Sequence, residues 1–513
     1  MYRSLHLKKL KSADTLGVIK RQSIKGTIYS YLGVAIGFVT TGLLFPRFLA
    51  TEQIGLLSLL VSYSNLFAIF AILGFDSVTF RLFPYFRDEK SHHHGYLFLS
   101  IGVSLLGFLL SIGVFYLLKP MIIRDSIEQS KLFVDYLNVI PLLIFFVLIF
   151  NTIDSYNRVM LNASFGTFLK DLVQRILIFC AVFLIIIHIV DFNEFVYLYV
   201  ISLCIPGILI FYPLIQKKQL SFKSDLAFID KGLFKNMTSV SFFGILGGFS
   251  NVIIQKIDTV MINSMINLSA TGIYTISFFF GSLVSIPARS VQRISVSIIA
   301  EAWKKNNMDE IRVVYYKSCL NLFILGILIF IGVWGNIHNV FKILPEEYLP
   351  GKYVILLFGI SACITMLGGI SSIIINLSKY YRYQTYFIIF FGISIVVTNL
   401  IFIPRFGIVG SAIAALISTF IYRFIQFLFI YNKFRISPYD YKFLLIVLFA
   451  GITYGLNLLI PELNNFILDI FIRSLFMTMI FGTLILISKI SPEVEAQKIK
   501  SLEFIKKIIK PEE

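Results

Sequence analysis

Apolar runs of about twenty residues recur along the whole of this chain, separated by short polar or glycine- and proline-bearing breaks. A run of that length is what an α-helix needs to cross the hydrocarbon of a bilayer. They lie near 26–46, 54–75, 96–118, 135–153, 171–190, 195–215, 237–257, 271–292, 313–334, 352–377, 384–403, 407–430, 442–460 and 467–488. Each run closes its own backbone hydrogen bonds, which lipid demands, and no alternating ten-residue pattern points to a barrel. Fourteen spans need roughly 280 apolar side chains, and 57% of 513 residues supplies about that many. Charged residues make up 14%, about half the share of a soluble protein. A soluble globular fold is excluded. The expectation is an all-α integral membrane protein with about fourteen transmembrane helices.

The net charge of +17 would point to nucleic acid in a soluble chain. In a membrane protein it is instead a topological signal, because cytoplasmic loops collect Lys and Arg. With the N-terminus inside, the inner segments and adjoining helix ends carry 35 of the 45 Lys and Arg, and the outer ones carry 8. The bias holds in both halves of the chain, so both termini are read as cytoplasmic. Residues 1–25 are basic, polar and without a signal-peptide core, and read as a cytoplasmic amphipathic segment. In 489–513, Ile499, Leu502, Ile505 and Ile509 recur at helical spacing among lysines, as in a helix resting on an anionic inner leaflet. The four cysteines are far apart and have no metal or redox spacing. His92, His93 and His94 are adjacent in a short loop, and neighbouring side chains diverge too much to share one ion.

No outer loop exceeds about 20 residues. A membrane glycan polymerase or ligase needs an extramembrane platform for its second substrate, and nothing here provides one. No phosphate-cradling glycine loop or nucleophile–base pattern is present either. Chemistry inside a helix bundle, that is transport rather than enzymic catalysis, is the reading. An internal repeat supports it. Phe48 to Leu56, between spans 1 and 2, and Met265 to Ile273, between spans 7 and 8, each place a polar residue three before a glycine that opens the next span. Repeats facing each other across a cavity are a transporter architecture. The division that follows is a six-helix lobe at 26–216, a cytoplasmic linker at 217–236, a second six-helix lobe at 237–431, two further helices at 432–488 and the tail. The two lobes are expected to enclose a central cavity.

Several stretches carry a family resemblance. They are Pro46, Arg47, Phe48 and Leu49 followed by Glu52 and Gly55; Gly272, Ile273 and Tyr274; and Ala300 to Lys304 with Asp309, Ile311, Tyr315, Lys317 and Ser318. The most specific is Ser378, Tyr381, Arg382, Asn399, Pro404, Phe406 to Ile408 and Gly410 to Ala412. Together they resemble the polysaccharide and oligosaccharide-lipid flippases, O-antigen flippases among them, of the multidrug/oligosaccharidyl-lipid/polysaccharide exporter superfamily. The resemblance covers roughly residues 20–430. It implies movement of an undecaprenyl-pyrophosphate-linked oligosaccharide from the inner to the outer leaflet of a bacterial inner membrane by a rocker-switch motion. It implies no cofactor, a proton or sodium gradient as the drive, and membrane lipids and polysaccharide polymerisation machinery as partners. Related readings are a lipid II flippase and a cation-coupled multidrug antiporter. Between Lys25 and Arg47, span 1 carries no charge, unlike the lipid II flippases, which lowers that alternative.

A pyrophosphate headgroup crosses hydrocarbon only where cations and hydrogen-bonding groups replace its water. Arg289 and Arg293 are the first candidates. They lie four apart on one helix face after Pro287, with snorkelling to inner-leaflet phosphates as the alternative. Arg175 in span 5 and Arg423 in span 12, three residues before Gln426, are further candidates against structural ion pairing. Arg47 and Arg81 sit at the ends of spans 1 and 2. Asp258, with Lys256 at the outer end of span 7, is a candidate for the coupling ion, against a simple charged helix end. Asp76, five residues before Arg81, is the other.

Overall fold

The computed structural model describes residues 21–22, 24–126, 130–216 and 225–490. The amphipathic N-terminus and tail expected in 1–25 and 489–513, and part of the 217–236 linker, lie outside the described residues but for a few at their edges. All regular structure among the described residues is helical. Eleven of those helices are long and apolar enough to cross a membrane, so the chain is a multi-pass membrane protein.

That count differs from the expected fourteen at three places. Spans 11 and 12 follow each other without a loop in Tyr381–Phe434, two helices that meet at a kink at Gly407. Span 5 carries Lys170, Asp171 and Arg175 within residues 163–186, too many charges for an apolar window. Span 13 is the 17-residue helix Tyr441–Asn457.

The chain divides into two compact units. The first holds the described residues up to Ile276 together with Ile388–Ser411; the second holds Ser277–Phe387 and the described residues from Ala412. In the first unit the helices are α1 (Ile24–Phe48), α2 (Thr51–Ala71), α3 (Phe75–Phe86), α4 (Tyr96–Ser126), α5 (Ile140–Val159), α6 (Gln174–Ile186), α7 (Phe192–Leu209), α8 (Lys231–Met265) and the start of α9 (Leu268–Ser282). Their ends follow local chemistry. The Asp191 carboxylate accepts the Glu194 N–H at 2.7 Å, and Glu194 returns the bond to the Asp191 N–H, a reciprocal cap that starts α7. Asp230 caps α8 by accepting the Leu233 N–H at 2.6 Å. The core is aromatic: Phe83, Phe86, Tyr96 and Tyr156 are buried and meet edge to face. On α4, by contrast, Leu106, Leu109, Leu110 and Leu117 are exposed, a stripe that suits lipid.

The two repeated segments meet each other in this unit. Thr51 and Ser269 share a hydroxyl hydrogen bond at 2.8 Å, and the Thr275 hydroxyl donates to Ser58 at 2.9 Å. The contact is reciprocal. A side chain at Gly55 would run into the Leu268 carbonyl, and one at Gly272 would run into the Thr51 carbonyl. Thr51 and Leu268 are themselves equivalent positions of the repeat.

In the second unit, the rest of α9 is followed by α10 (Ile286–Lys304), α11 (Met308–Gly335), α12 (Lys352–Leu367), α13 (Ser371–Leu377), the flanks of α14 (Tyr381–Phe434), α15 (Tyr441–Asn457) and α16 (Phe466–Ile487). Pro287 does interrupt span 8: a 3-10 turn at Leu283–Ser285 precedes it, and it opens α10, where its missing N–H costs nothing. The central stretch of α14 returns to the first unit and contains Gly407 at φ 59°, ψ −138°, a conformation open to glycine alone.

Candidate functional site

Helix α8 does not end at Asp258. It continues to Met265, which corrects the placement of this residue at a helix terminus. Asp258 is 7% exposed and accepts hydrogen bonds from the Asn399 amide at 2.6 Å and the Tyr274 hydroxyl at 2.7 Å. Such a buried carboxylate is tolerable only with donors of this kind. Asn399 is fully buried, and its Oδ1 has no hydrogen-bond partner among the described residues. Ser411, also fully buried, adjoins the Tyr274 hydroxyl.

Three helices bring these groups together. Asp258 comes from α8 and Tyr274 from α9, while Asn399 and Ser411 lie on either side of the Gly407 break in α14. Past that break the backbone runs so close that Gly410 has no room for a Cβ beside the Phe402 carbonyl. Tyr274, Asn399, Gly407, Gly410 and Ser411 were the letters of a resemblance in the sequence; in the structure they converge on Asp258. One carboxylate among neutral oxygen atoms suits a proton or a hard monovalent cation. No group of three or more His, Cys, Asp or Glu able to hold a metal ion occurs among the described residues.

A second polar cluster in the same unit was missed in the sequence. Lys170 and Lys256 are two lysines set within the helical runs of this unit. Lys170 lies in a six-residue π-helical stretch, Phe168–Val173, just before α6. It lines a cavity of about 70 Å³ with Ser64, Asn65, Phe146, Phe150 and Gln174, and its ammonium stands 5.1 Å from the centre of the Phe150 ring. A space of that size holds a few water molecules. Asp171, beside Lys170 in sequence, and Asp154, on α5, are each engaged elsewhere. Asp154 pairs with Arg158 at 2.7 Å, and Asp171 accepts from the Ser30 hydroxyl at 2.6 Å. The signal was present: a lysine beside an arginine-bearing span. Starting the span at Asp171 puts Lys170 one residue outside it.

Among the arginines of the first unit, Arg175 donates to the Gly33 carbonyl at 2.7 Å and rests where Gly37 lacks a side chain, so it ties α1 to α6. Arg47 is exposed on the last turn of α1, and Arg81 is exposed on α3. Asp76 accepts the Ser77 N–H at 2.8 Å in the first turn of α3. These four are not gathered around one group.

In the second unit, Arg289 is exposed and Arg293 half-buried, both on α10. Arg423 sits within a polar network. Its guanidinium donates to Gln426 at 3.0 Å and, at 3.4 Å, to Ser371 and Ser372 at the start of α13. Gln426 also donates to Gln384 and to the Tyr422 hydroxyl. A separate cluster joins α16 to the segment after α11: Asp469 is fully buried and accepts from Arg473 at 2.8 Å, from His338 at 2.8 Å and from Asn339. At the rim, the Lys342 ammonium, 3.0 Å away, holds the Glu462 carboxyl below the usual carboxylate range. The histidine run disperses: His93 packs on Phe83, and His94 stacks on Phe228 and contacts Asp225.

The family described as polysaccharide biosynthesis protein matches residues 23–291, just over half of the chain. No curated protein sequence matches. Among solved structures, the chain is similar to a lipid II flippase MurJ in an inward closed conformation: TM-score 0.72, 15% identity, covering 90% of this chain and 98% of that one. It is similar to an inward-facing multidrug resistance MATE family transporter of the MOP superfamily: TM-score 0.62, 15% identity, 80% and 94% covered. It is also similar to a MATE protein in complex with MaL6: TM-score 0.57, 14% identity, 82% and 96% covered. At these identities the likeness is one of fold.

Proposed function

Because the chain belongs to the polysaccharide biosynthesis protein family, we propose that it is a secondary transporter rather than an enzyme. Its substrate is an undecaprenyl-pyrophosphate-linked oligosaccharide, a polysaccharide or O-antigen precursor. It moves this lipid from the inner to the outer leaflet of a bacterial inner membrane by alternating access, and hands it to polymerisation machinery outside. In this reading there are fourteen spans, with α14 counted on both sides of Gly407. Two six-span halves, 26–216 and 237–431, carry the motion; 432–488 is an addition, and both termini are cytoplasmic.

The observation that carries the proposal is Lys170, whose ammonium lines a small cavity beside the Phe150 ring; Lys256 is proposed to act with it. Ammonium groups within spanning helices are expensive, and such charges mark a substrate path. Their cost is offset when a pyrophosphate lies between them, with Asn65, Gln174 and the Phe146 and Phe150 faces available to the first sugars. Arg289, Arg293 and Arg423 are proposed as further headgroup contacts, Arg47 and Arg81 as cations at the ends of the path, and Arg175 as a support for α1. Asp258 is proposed to take the coupling proton or sodium ion. Rotation of the Asn399 amide would turn its unpartnered oxygen toward the carboxylate and complete an oxygen cage with Tyr274. Asp76 is the weaker second candidate for that role.

The test is translocation in proteoliposomes of a fluorescent polyprenyl-pyrophosphate oligosaccharide, read by an impermeant quencher. Wild type is expected to move it, and Lys170→Gln with Lys256→Gln to slow it by about tenfold or more. Equal movement of a neutral-headed glycolipid would remove the role of the lysines. Expulsion of cationic dyes with no movement of the lipid would favour the multidrug antiporter.

A further inference from the structure

A cavity of about 510 Å³ opens in the first unit where α2 gives way to α3. Its size is within the range of small-molecule sites, and the proposed transport path makes no use of it. The cause of the opening is local. Gly74 takes a left-handed turn (φ 67°) because α8 passes directly against it, leaving no space for a Cβ beside the Ser241 carbonyl. The Ser241 hydroxyl donates to the Leu73 carbonyl at 2.5 Å, which satisfies a group the broken helix leaves free. The step this makes in the helix leaves a slot floored by Leu73, Phe75, Leu99, Val103 and Met237.

The slot has two chemically different ends. Ser241 lies beside the apolar floor. Ten residues back along α8, about 15 Å at the helical rise, stand Asp230 and Lys231, the cap and first residue of the helix. That length is half of the roughly 30 Å hydrocarbon, the depth of one leaflet. Phe234 and Thr238 line the wall between and are exposed. The carboxylate of Asp230 spends one oxygen on the Leu233 N–H, and the second faces no hydrogen bond of the helix cap.

We propose that this slot holds one phospholipid with a zwitterionic, amine-bearing headgroup of the phosphatidylethanolamine type, its ammonium on Asp230, its phosphate on Lys231 and one acyl chain along the apolar floor. Charge complementarity selects this occupant. A purely anionic headgroup would gain Lys231 but face the adjacent Asp230 carboxylate, whereas the zwitterion pairs with both. On the orientation expected from the loop charges, the lipid belongs to the inner leaflet.

The test is native mass spectrometry of the full chain extracted from vesicles of equal phosphatidylethanolamine and phosphatidylglycerol. Wild type is expected to retain one phosphatidylethanolamine. Asp230→Asn keeps the helix-cap acceptor and removes only the charge; it should cut the preference over phosphatidylglycerol about tenfold. Thr238→Trp fills the slot and should release the lipid. Equal retention of the two lipids by wild type overturns the proposal. So does undiminished retention in Thr238→Trp, or displacement of the phospholipid by an added polyprenyl phosphate at equal concentration.

Discussion

Ser58 and Thr275 stand 217 residues apart in sequence, each two positions beyond its repeated segment and in the same register, and are joined by a hydrogen bond of 2.9 Å. One turn away, Gly55 and Gly272 each press on the backbone that the other's repeat presents. Two copies of one motif are thus seated against each other, as local two-fold symmetry would have it. On the proposed topology this seam is at the outer ends of spans 2 and 8, where a closed outer gate belongs.

A cysteine pair tests the gate. The Thr51 and Ser269 hydroxyls are 2.8 Å apart, and Thr51→Cys with Ser269→Cys is expected to form a disulfide on mild oxidation, given the few ångströms that bond spans. Transport should stop when the pair is oxidised and return on reduction, with either single variant unaffected by oxidant. Transport continuing through the closed disulfide would show that this seam does not open during the cycle.

The coupling role of Asp258 rests on its charge, so the isosteric change is the informative one. Asp258→Asn can still accept from Tyr274 but offers no anion. Cation affinity, measured by isothermal titration of the purified protein with sodium and by proton release on binding, should fall about ten- to hundredfold, the worth of one charged contact. Headgroup binding at Lys170 and Lys256 should persist. Full dependence of transport on the ion gradient in this variant would move the coupling site elsewhere.

How much of this was legible beforehand differs by residue. The apolar runs gave the helices, because lipid leaves the backbone no other choice. They also gave two spans that divide next to Gly407. What they did not show is that no loop separates the two: one glycine, Gly407, makes the break between them. Asn399, Tyr274 and Ser411 could be quoted as motif positions. Their convergence on Asp258 could not be seen, since it depends on three helices that no periodicity links. Lys170 is hidden because span 5 is read from Asp171, one residue later. The structure instead sets its ammonium over the Phe150 ring and on the wall of a small cavity.

Gly407 separates backbone strain from steric clash. A Cβ there would touch little: the one atom nearby is the end of Ile266, 4.0 Å away. Its φ of 59° with ψ −138° is nevertheless closed to other residues. Gly407→Ala should therefore destabilise the fold by about 1–3 kcal/mol through the backbone alone, measured by thermal unfolding in detergent. It should also weaken cation binding at Asp258, because Asn399 and Ser411 lie on opposite sides of the turn. Gly451→Ala, at a helical glycine with equally open space around it, is the control expected to leave cation binding unchanged and stability unchanged or raised by up to about 1 kcal/mol.

Asp469 and Arg473 give the strongest stability prediction. The carboxylate is fully buried and the guanidinium 3% exposed; besides Asp469, the latter donates to the carbonyls of Asn457 at 3.0 Å and Ile460 at 2.8 Å. Arg473 therefore stitches α15, the turn after it and α16 into one piece, and Asp469 compensates its charge. Removing one partner leaves the other charged in a dry site, so Asp469→Ala should cost about 3–5 kcal/mol. Replacing both, Asp469→Leu with Arg473→Met, removes the two charges together and should cost less than Asp469→Ala alone. It should still fall short of wild type, because the Asn457 and Ile460 carbonyls and the Leu463 N–H lose their partners. Thermal unfolding of the three proteins measures this order. Since the cluster lies apart from every residue assigned to substrate or ion, the folded fraction of each variant should transport at the wild-type rate. A double variant less stable than Asp469→Ala would mean that the carbonyl contacts of Arg473, rather than its pairing with Asp469, hold these helices together.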